Sequence, residues 1–108
     1  CLDMLGDKDL DIIIPSNGSR ALARIVLYAA KRIGEEGLVK LVPDIVIDDN
    51  VPFNKAGYKT VNLIDFNYGS APGLNDYWHT PDDVMDRISE ESLLKSGRLA
   101  AELLNILL

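Results

Sequence analysis

Leu10-Asp11-Ile12-Ile13-Ile14-Pro15 is predicted to form a short β-strand, because β-branched residues fill it and its closing proline has no N–H to continue a ladder. From Asn17 the apolar residues recur at intervals of four, three and four, the spacing of an amphipathic helix. These positions are Leu22, Val26, Ala29 and Ile33. Ser16 or Asn17 is expected to cap the helix, and Gly34 or Gly37 to end it. A strand followed by such a helix indicates an α/β layered fold whose sheet is at least partly parallel.

Two further strands are predicted on either side of this unit. Residues 1–5 alternate apolar and acidic groups and end at Gly6-Asp7, which is typical of a strand that opens into a loop and puts Asp3 near its carboxyl end. Residues 60–64 are β-branched or apolar apart from Asn62, and they stop at Asp65. Both strands therefore carry an aspartate near the point where they end.

A short helix is predicted between the strand that ends at Pro15 and the strand at residues 60–64. Residues 38–42 and 45–47 are apolar apart from Lys40 and are expected to form a strand or a loop. The helix then starts near Asn50, tolerates Pro52 in its first turn and closes at Gly57.

The last third of the chain is predicted to be a loop and a helix. Residues 67–75 are dense in Gly, Pro, Ser and Asn, which is typical of the long loops that carry functional residues. Ser89 followed by Glu90 and Glu91 is an N-cap signal, and the leucines and alanines after it predict a buried amphipathic helix.

The composition limits the function classes open to the chain. Its 108 residues suffice for a single domain, and 47% apolar with 26% charged residues is the balance of a soluble globular protein. Eleven Lys and Arg against 17 Asp and Glu give a net charge of −6, which argues against nucleic acid as a partner. The single cysteine, Cys1, allows no internal disulfide. No apolar run approaches the roughly 20 residues that span a bilayer.

Candidate chemistry centres on His79, the only histidine, which follows the long loop. Imidazole is a common zinc ligand, although a lone histidine is more often a loop or packing residue. Carboxylates are the other candidate ligands: Asp3, Asp48, Asp49 and Asp65. Because the carboxyl ends of parallel strands meet at one edge of a sheet, we expect these four to converge with His79 on one rim. Their simpler explanation is solvated turn residues and helix caps.

Several segments carry a combined signal that none carries alone. Leu2-Asp3-Met4-Leu5-Gly6-Asp7 looks like a strand with a metal-ligand Asp, and Asp48-Asp49-Asn50-Val51-Pro52-Phe53 looks like an acidic turn before a short helix. Tyr77-Trp78-His79-Thr80 looks like a loop that ends in a zinc-ligand His. In this order and spacing the segments resemble the family-28 zinc metallopeptidases, which include bacterial aminopeptidases and the glutaminyl-peptide cyclotransferases.

The resemblance implies a fragment of a three-layer α/β/α zinc-exopeptidase fold with a mixed, partly parallel sheet. Members of the family hold paired zinc ions with a His, a bridging Asp, a Glu, a further Asp and a final His, and this chain matches only the last two, as Asp3 and His79. The general-base Glu also belongs to the upstream half. Residues 1–108 are therefore expected to be the C-terminal part of a larger catalytic domain, inactive alone. In that domain Trp78, Asp48 and Asp49 are the expected catalytic residues, and the substrate is a peptide.

Two alternatives to an aminopeptidase stay open. Trp78 stands where the family's aminopeptidases often have Tyr. A Trp at this position and the Asp48-Asp49 pair both resemble the cyclotransferases. Cyclization of an N-terminal Gln is therefore the alternative reaction. Asn50 stands where many members have His, which removes a possible hydrogen-bond partner near Asp49. An alternative of a different class is a non-catalytic α/β interaction module derived from such an enzyme.

The start of the chain also carries expectations. The first residue is Cys and not Met, no signal-peptide pattern follows it, and it lies within a predicted strand, so we expect a fragment of a longer protein. A sheet edge or apolar face left uncovered in a fragment promotes association, and the isolated chain is expected to form a homo-oligomer. Members of the family are often exported, and the resemblance implies a periplasmic or extracellular location that the residues themselves do not indicate.

Overall fold

A four-stranded mixed sheet organises the computed structural model, which describes all 108 residues. The elements in chain order are β1 (Leu2–Asp3), β2 (Ile12–Ile14), α1 (Arg20–Arg32), β3 (Val39–Leu41), α2 (Asn50–Lys55), β4 (Leu63–Ile64), a 3-10 turn (Met85–Arg87) and α3 (Glu90–Leu107). The strand order is β1-β4-β2-β3, with β1 parallel to β4, β2 parallel to β3, and β2 antiparallel to β4. The predicted α/β class and partly parallel sheet are confirmed.

The alternation of side chains along the strands gives the sheet two different faces. Ile12, Ile14 and Leu63 are buried in a core with the apolar stripe of α1 and with Leu99 of α3. Ile13 and Ile64, their neighbours in the strands, line a cavity on the other face. The helices therefore cover one face of the sheet and leave the other for the site.

Helix α1 begins two to three residues later than predicted. Its N-cap is Ser19, whose hydroxyl accepts the N–H of Leu22. Ser16 and Asn17 instead bond to backbone carbonyls of the segment after β3, because their side chains face that segment and not the helix axis. The helix ends as predicted at Gly34, which has a φ of +76° and donates its N–H to a carbonyl in the last turn.

Helix α3 begins at the predicted cap, Ser89, whose hydroxyl accepts the N–H of Ser92. The prediction of a buried helix is wrong for most of its surface. Only α1 among the helices packs on it, so Ser92, Ser96 and Leu99 are its only fully buried residues. Four leucines on its other sides are exposed: Leu93, Leu94, Leu104 and Leu107.

The third predicted strand is shorter than residues 60–64, because its first residues bond outside the sheet. The carbonyl of Thr60 accepts the N–H of Ser19, and its hydroxyl donates to Asn54 of α2. The segment 45–47 is a loop, which was one of the two structures predicted for it, and α2 starts at Asn50 as predicted. None of the helices has the length and apolar character needed to cross a lipid bilayer.

Candidate metal and substrate site

One cavity of about 620 Å³ brings together five of the residues that the sequence singled out. It opens on the sheet face that the helices leave free. The predicted residues that line it are Asp3, Asp48, Asp49, Trp78 and His79. The imidazole and the Asp3 carboxylate therefore lie at the same edge of the sheet, although 75 residues separate them in the chain.

Asp3 ends β1 with its carboxyl half-buried in this cavity. Burial and then repulsion from Asp48 raise the pKa of Asp3, with a smaller contribution from Asp49. The N–H of Met4 and the imidazole of His79 act in the opposite direction. The cavity thus concentrates negative charge, which a metal cation or a protonated amine would offset.

Asp48 and Asp49 differ in what holds them. One Asp48 oxygen accepts the N–H of Asp49 at 2.7 Å, and the other accepts the side-chain N–H of Asn62 at 2.8 Å. Asp49 is the N-cap residue of α2, but its carboxylate makes no capping hydrogen bond and stays exposed. Asp48 is therefore fixed by two donors, whereas the carboxylate of Asp49 is free to meet a ligand.

The aromatic wall of the cavity is built around the histidine. The rings of Trp78 and His79 stack with centroids 3.8 Å apart and an interplanar angle of 22°. Phe66, just after β4, lies with its ring centroid 5.8 Å from that of Trp78. The wall presents flat apolar surface beside the carboxylates, as a substrate pocket requires.

Backbone strain coincides with the two candidate ligands. His79 has a φ of +56° and Met4, directly after Asp3, has a φ of +57°, and no other non-glycine residue has a positive φ. Residues with a side chain rarely adopt a positive φ, because the Cβ atom clashes with the backbone, and those that do cluster at functional sites. The fold thus holds both segments in conformations that the chain would not adopt by itself.

Three contacts hold the His79 loop in place. The Thr80 hydroxyl donates to the Tyr77 carbonyl at 2.6 Å. The Tyr68 hydroxyl donates to Asp83 at 2.7 Å, across the two ends of the loop. The guanidinium of Arg87 lies 3.5 Å from the centre of the Tyr77 ring. Tyr68, Arg87 and the buried Asn62 were not predicted, since nothing in the sequence pattern pairs them with distant partners.

Asp65 does not join the cavity, and the expectation that it shares the rim is wrong. Its side chain is fully buried, and its oxygens accept the N–H groups of Asp11 and Asn67, both at 2.9 Å. The physical reason is the strand alternation, because Ile64 lines the cavity and the next residue turns to the opposite face. Burial raises the pKa of Asp65 to about 6. Its position is that of a structural bridge.

The donor types in the cavity suit zinc, which binds imidazole nitrogen and carboxylate oxygen. The 108 residues do not supply enough of these donors for a complete site, because no group of three or more His, Cys, Asp or Glu side chains is close enough to hold an ion. Catalytic zinc takes three protein ligands, so Asp3 and His79 make a partial ligand set.

Comparison with known proteins places this cavity in a family. The profile described as peptidase family M28 matches residues 1–104. A glutaminyl cyclase from an Acidobacteriales bacterium is similar over 97% of this chain and 36% of its own, with 36% identity and a TM-score of 0.87. A zinc aminopeptidase from Bacillus subtilis is similar over 95% of this chain and 26% of its own, with 26% identity and a TM-score of 0.75.

The chain spans about a third of the length of the cyclase and about a quarter of the aminopeptidase. No curated protein sequence matches it. The profile match extends over nearly all of the chain and includes every residue of the cavity. The chain belongs to peptidase family M28.

Proposed function

We propose that these residues form the C-terminal part of the catalytic domain of a zinc-dependent exopeptidase of the aminopeptidase type. The observation that carries the proposal is the shared cavity of Asp3 and His79, two side chains of zinc-ligand type that lie far apart in the sequence. Family membership supports the peptidase class and an exported location. The proposed substrate and reaction are argued from the side chains that line the cavity.

The chain's own residues would act on the amino-terminal residue of a peptide. The carboxylates of Asp48 and Asp49 attract its protonated amine, and the unpaired Asp49 is the one free to accept its hydrogen bonds. The Trp78 indole forms the apolar wall that orients the first side chain and excludes water. Asp3 and His79 would hold zinc, which when bound polarises a carbonyl and activates water.

The remaining zinc ligands and the general base would come from residues outside the 108. Two ligands fall short of the three that a catalytic zinc takes. We therefore propose that the isolated chain has no peptidase activity. The cavity needs the rest of a catalytic domain to complete it.

Glutaminyl cyclization is a second candidate, favoured by two specific observations. The greater likeness is to the glutaminyl cyclase, with 36% identity against 26% for the aminopeptidase. The residue before His79 is a tryptophan, which stacks on the imidazole. In this reaction the same wall would hold the glutamine side chain while its γ-amide carbon is attacked by the α-amine, with loss of ammonia.

Turnover of two substrates by the zinc-loaded complete domain tests the proposal. An aminoacyl amide should be hydrolysed, with release of the free amino acid, at a kcat/KM above that for cyclization of a peptide with N-terminal Gln. Preferential cyclization would instead establish the second candidate. Turnover of neither substrate by a domain that binds zinc stoichiometrically would contradict both.

A further inference from the structure

Asn62 is a buried amide directly before β4, with only 2% of its surface exposed. Its side-chain N–H donates to the Asp48 carboxylate at 2.8 Å. The bond joins the sheet to the acidic segment that lines the cavity, across 14 positions of sequence. Asn62 itself does not line the cavity.

The Asp48 carboxylate has reason to move away when this bond is absent. It is only half-buried, and it lies where it repels the carboxylate of Asp3. The N–H of Asp49, its other donor, belongs to the adjacent residue and moves with the same segment. Asn62 is thus the one side chain that ties Asp48 to the sheet.

Packing alone does not account for an asparagine at position 62. Its side-chain oxygen is buried without a hydrogen-bond partner, as are both polar atoms of Asn50 at the start of α2. A buried acceptor left unpaired lowers the stability of the folded state, a cost that a leucine of similar volume avoids. Buried polar groups normally have hydrogen-bond partners, and exceptions to this rule are expected at functional sites.

We propose that Asn62 is a positioning residue, which acts through Asp48 by holding its carboxylate in the cavity next to Asp3. The inference rests on the proposed function in one respect, namely that Asp48 meets the substrate. The positioning itself is independent of which reaction the site performs. The role requires a buried donor, and an apolar side chain of the same volume lacks it.

The first test measures the Asp48 side chain directly in the complete domain with 13C-labelled aspartate. Three-bond couplings should report a single χ1 rotamer of Asp48 in the wild type and rotamer averaging in Asn62→Leu. Asn54→Leu is the matched control, because the side chain of Asn54 in α2 also makes two hydrogen bonds but none to Asp48. A single unchanged rotamer in Asn62→Leu would overturn the proposal, whatever the activity.

The second test is a double-mutant cycle on activity. Asn62→Leu should lower kcat/KM on the order of tenfold at unchanged zinc stoichiometry, since loss of a hydrogen bond to a charged group has an effect of that size. Asn54→Leu should lower only the melting temperature. In an Asp48→Ala background, Asn62→Leu should have no further effect. An equal loss in both backgrounds would contradict action through Asp48.

The two tests separate this inference from the proposed function. A wild type that turns over neither substrate contradicts the proposed function, while the rotamer of Asp48 still decides the positioning. An Asp48 that loses its rotamer in Asn62→Leu without any change of kcat/KM would overturn the functional part of the inference.

Discussion

The Trp78 indole covers one face of the His79 imidazole, with ring centroids 3.8 Å apart and planes 22° from parallel. Stacking fixes the plane of the imidazole, and with it the direction of the nitrogen lone pair that a metal would use. It acts on a residue whose backbone is already held at a φ of +56°. The backbone thus sets where the imidazole lies, and the stacked indole restrains its plane further, so loss of the indole should loosen the ring without removing the ligand.

Replacement of Trp78 should affect the substrate more than the metal. Trp78→Ala should keep zinc bound in the complete domain but lower kcat/KM by about tenfold to a hundredfold, because substrate orientation depends on the pocket wall. Trp78→Phe should recover part of the loss by restoring a flat apolar face. The measurement is kcat/KM beside zinc stoichiometry for the three proteins. Equal activity of the Ala and Phe variants would argue against a pocket wall at this position.

Asp65 should make stability depend on pH. Burial raises its pKa to about 6 in the folded protein, against 3.8 for an ordinary aspartate, so the folded state binds the proton more tightly than the unfolded state. This contribution is fully present below pH 4 and is lost as the pH rises through 6. Asp65→Asn should therefore flatten the fall in the free energy of unfolding between pH 4 and pH 7 by about 2–3 kcal/mol.

Urea titrations at both pH values measure this difference. The control is Asp86→Asn, which removes the same charge from an exposed position. The Asp65→Asn variant also loses an acceptor for one backbone N–H, which lowers stability at every pH. An Asp65→Asn protein with the wild-type pH dependence would refute the assignment to this carboxyl.

The Tyr68 bond should stabilise the loop that carries His79. Burial raises the pKa of Tyr68 to about 12, so its hydroxyl remains a donor to Asp83 throughout the neutral range. Tyr68→Phe should cost about 1–2 kcal/mol in the free energy of unfolding. Tyr58→Phe is the control, since Tyr58 is 67% exposed and makes no side-chain hydrogen bond. Similar losses in the two variants would show that the Tyr68–Asp83 bond contributes nothing.

Self-association of the isolated chain is expected from the surface of α3. Leu94 and Leu104 are 60% and 57% exposed, and together with the other exposed leucines of the helix they form apolar surface that favours association. Light scattering at high concentration should show an oligomer, and the double variant Leu94→Lys, Leu104→Lys should shift it toward the monomer. A monodisperse wild-type monomer would contradict this expectation.

Local pattern predicted the elements of this fold better than their contacts. The strand before Pro15, the closing Gly34 and the Ser89 cap follow from local chemistry, and each is in place. The cap of α1 was displaced to Ser19 because Ser16 and Asn17 bond to a segment distant in sequence. Such competition for a side chain depends on tertiary structure and leaves no local signal.

The site was predictable where residue type and strand position agreed. Asp3 lies at the end of β1 and faces the cavity. Asp65 also follows a strand end, but the alternation of one residue sends it to the other face. Asn62 could not be found at all, because a buried asparagine in an apolar strand has no signature until its partner Asp48 is known.

Zinc stoichiometry in the complete domain tests the central claim most directly. Asp3→Ala and His79→Ala each remove one ligand, and Asp86→Ala serves as a control because Asp86 is exposed and does not line the cavity. The account predicts that both ligand variants lose zinc on dialysis and lose turnover with it, while the control keeps its zinc. Full zinc occupancy and unchanged turnover in His79→Ala would contradict it.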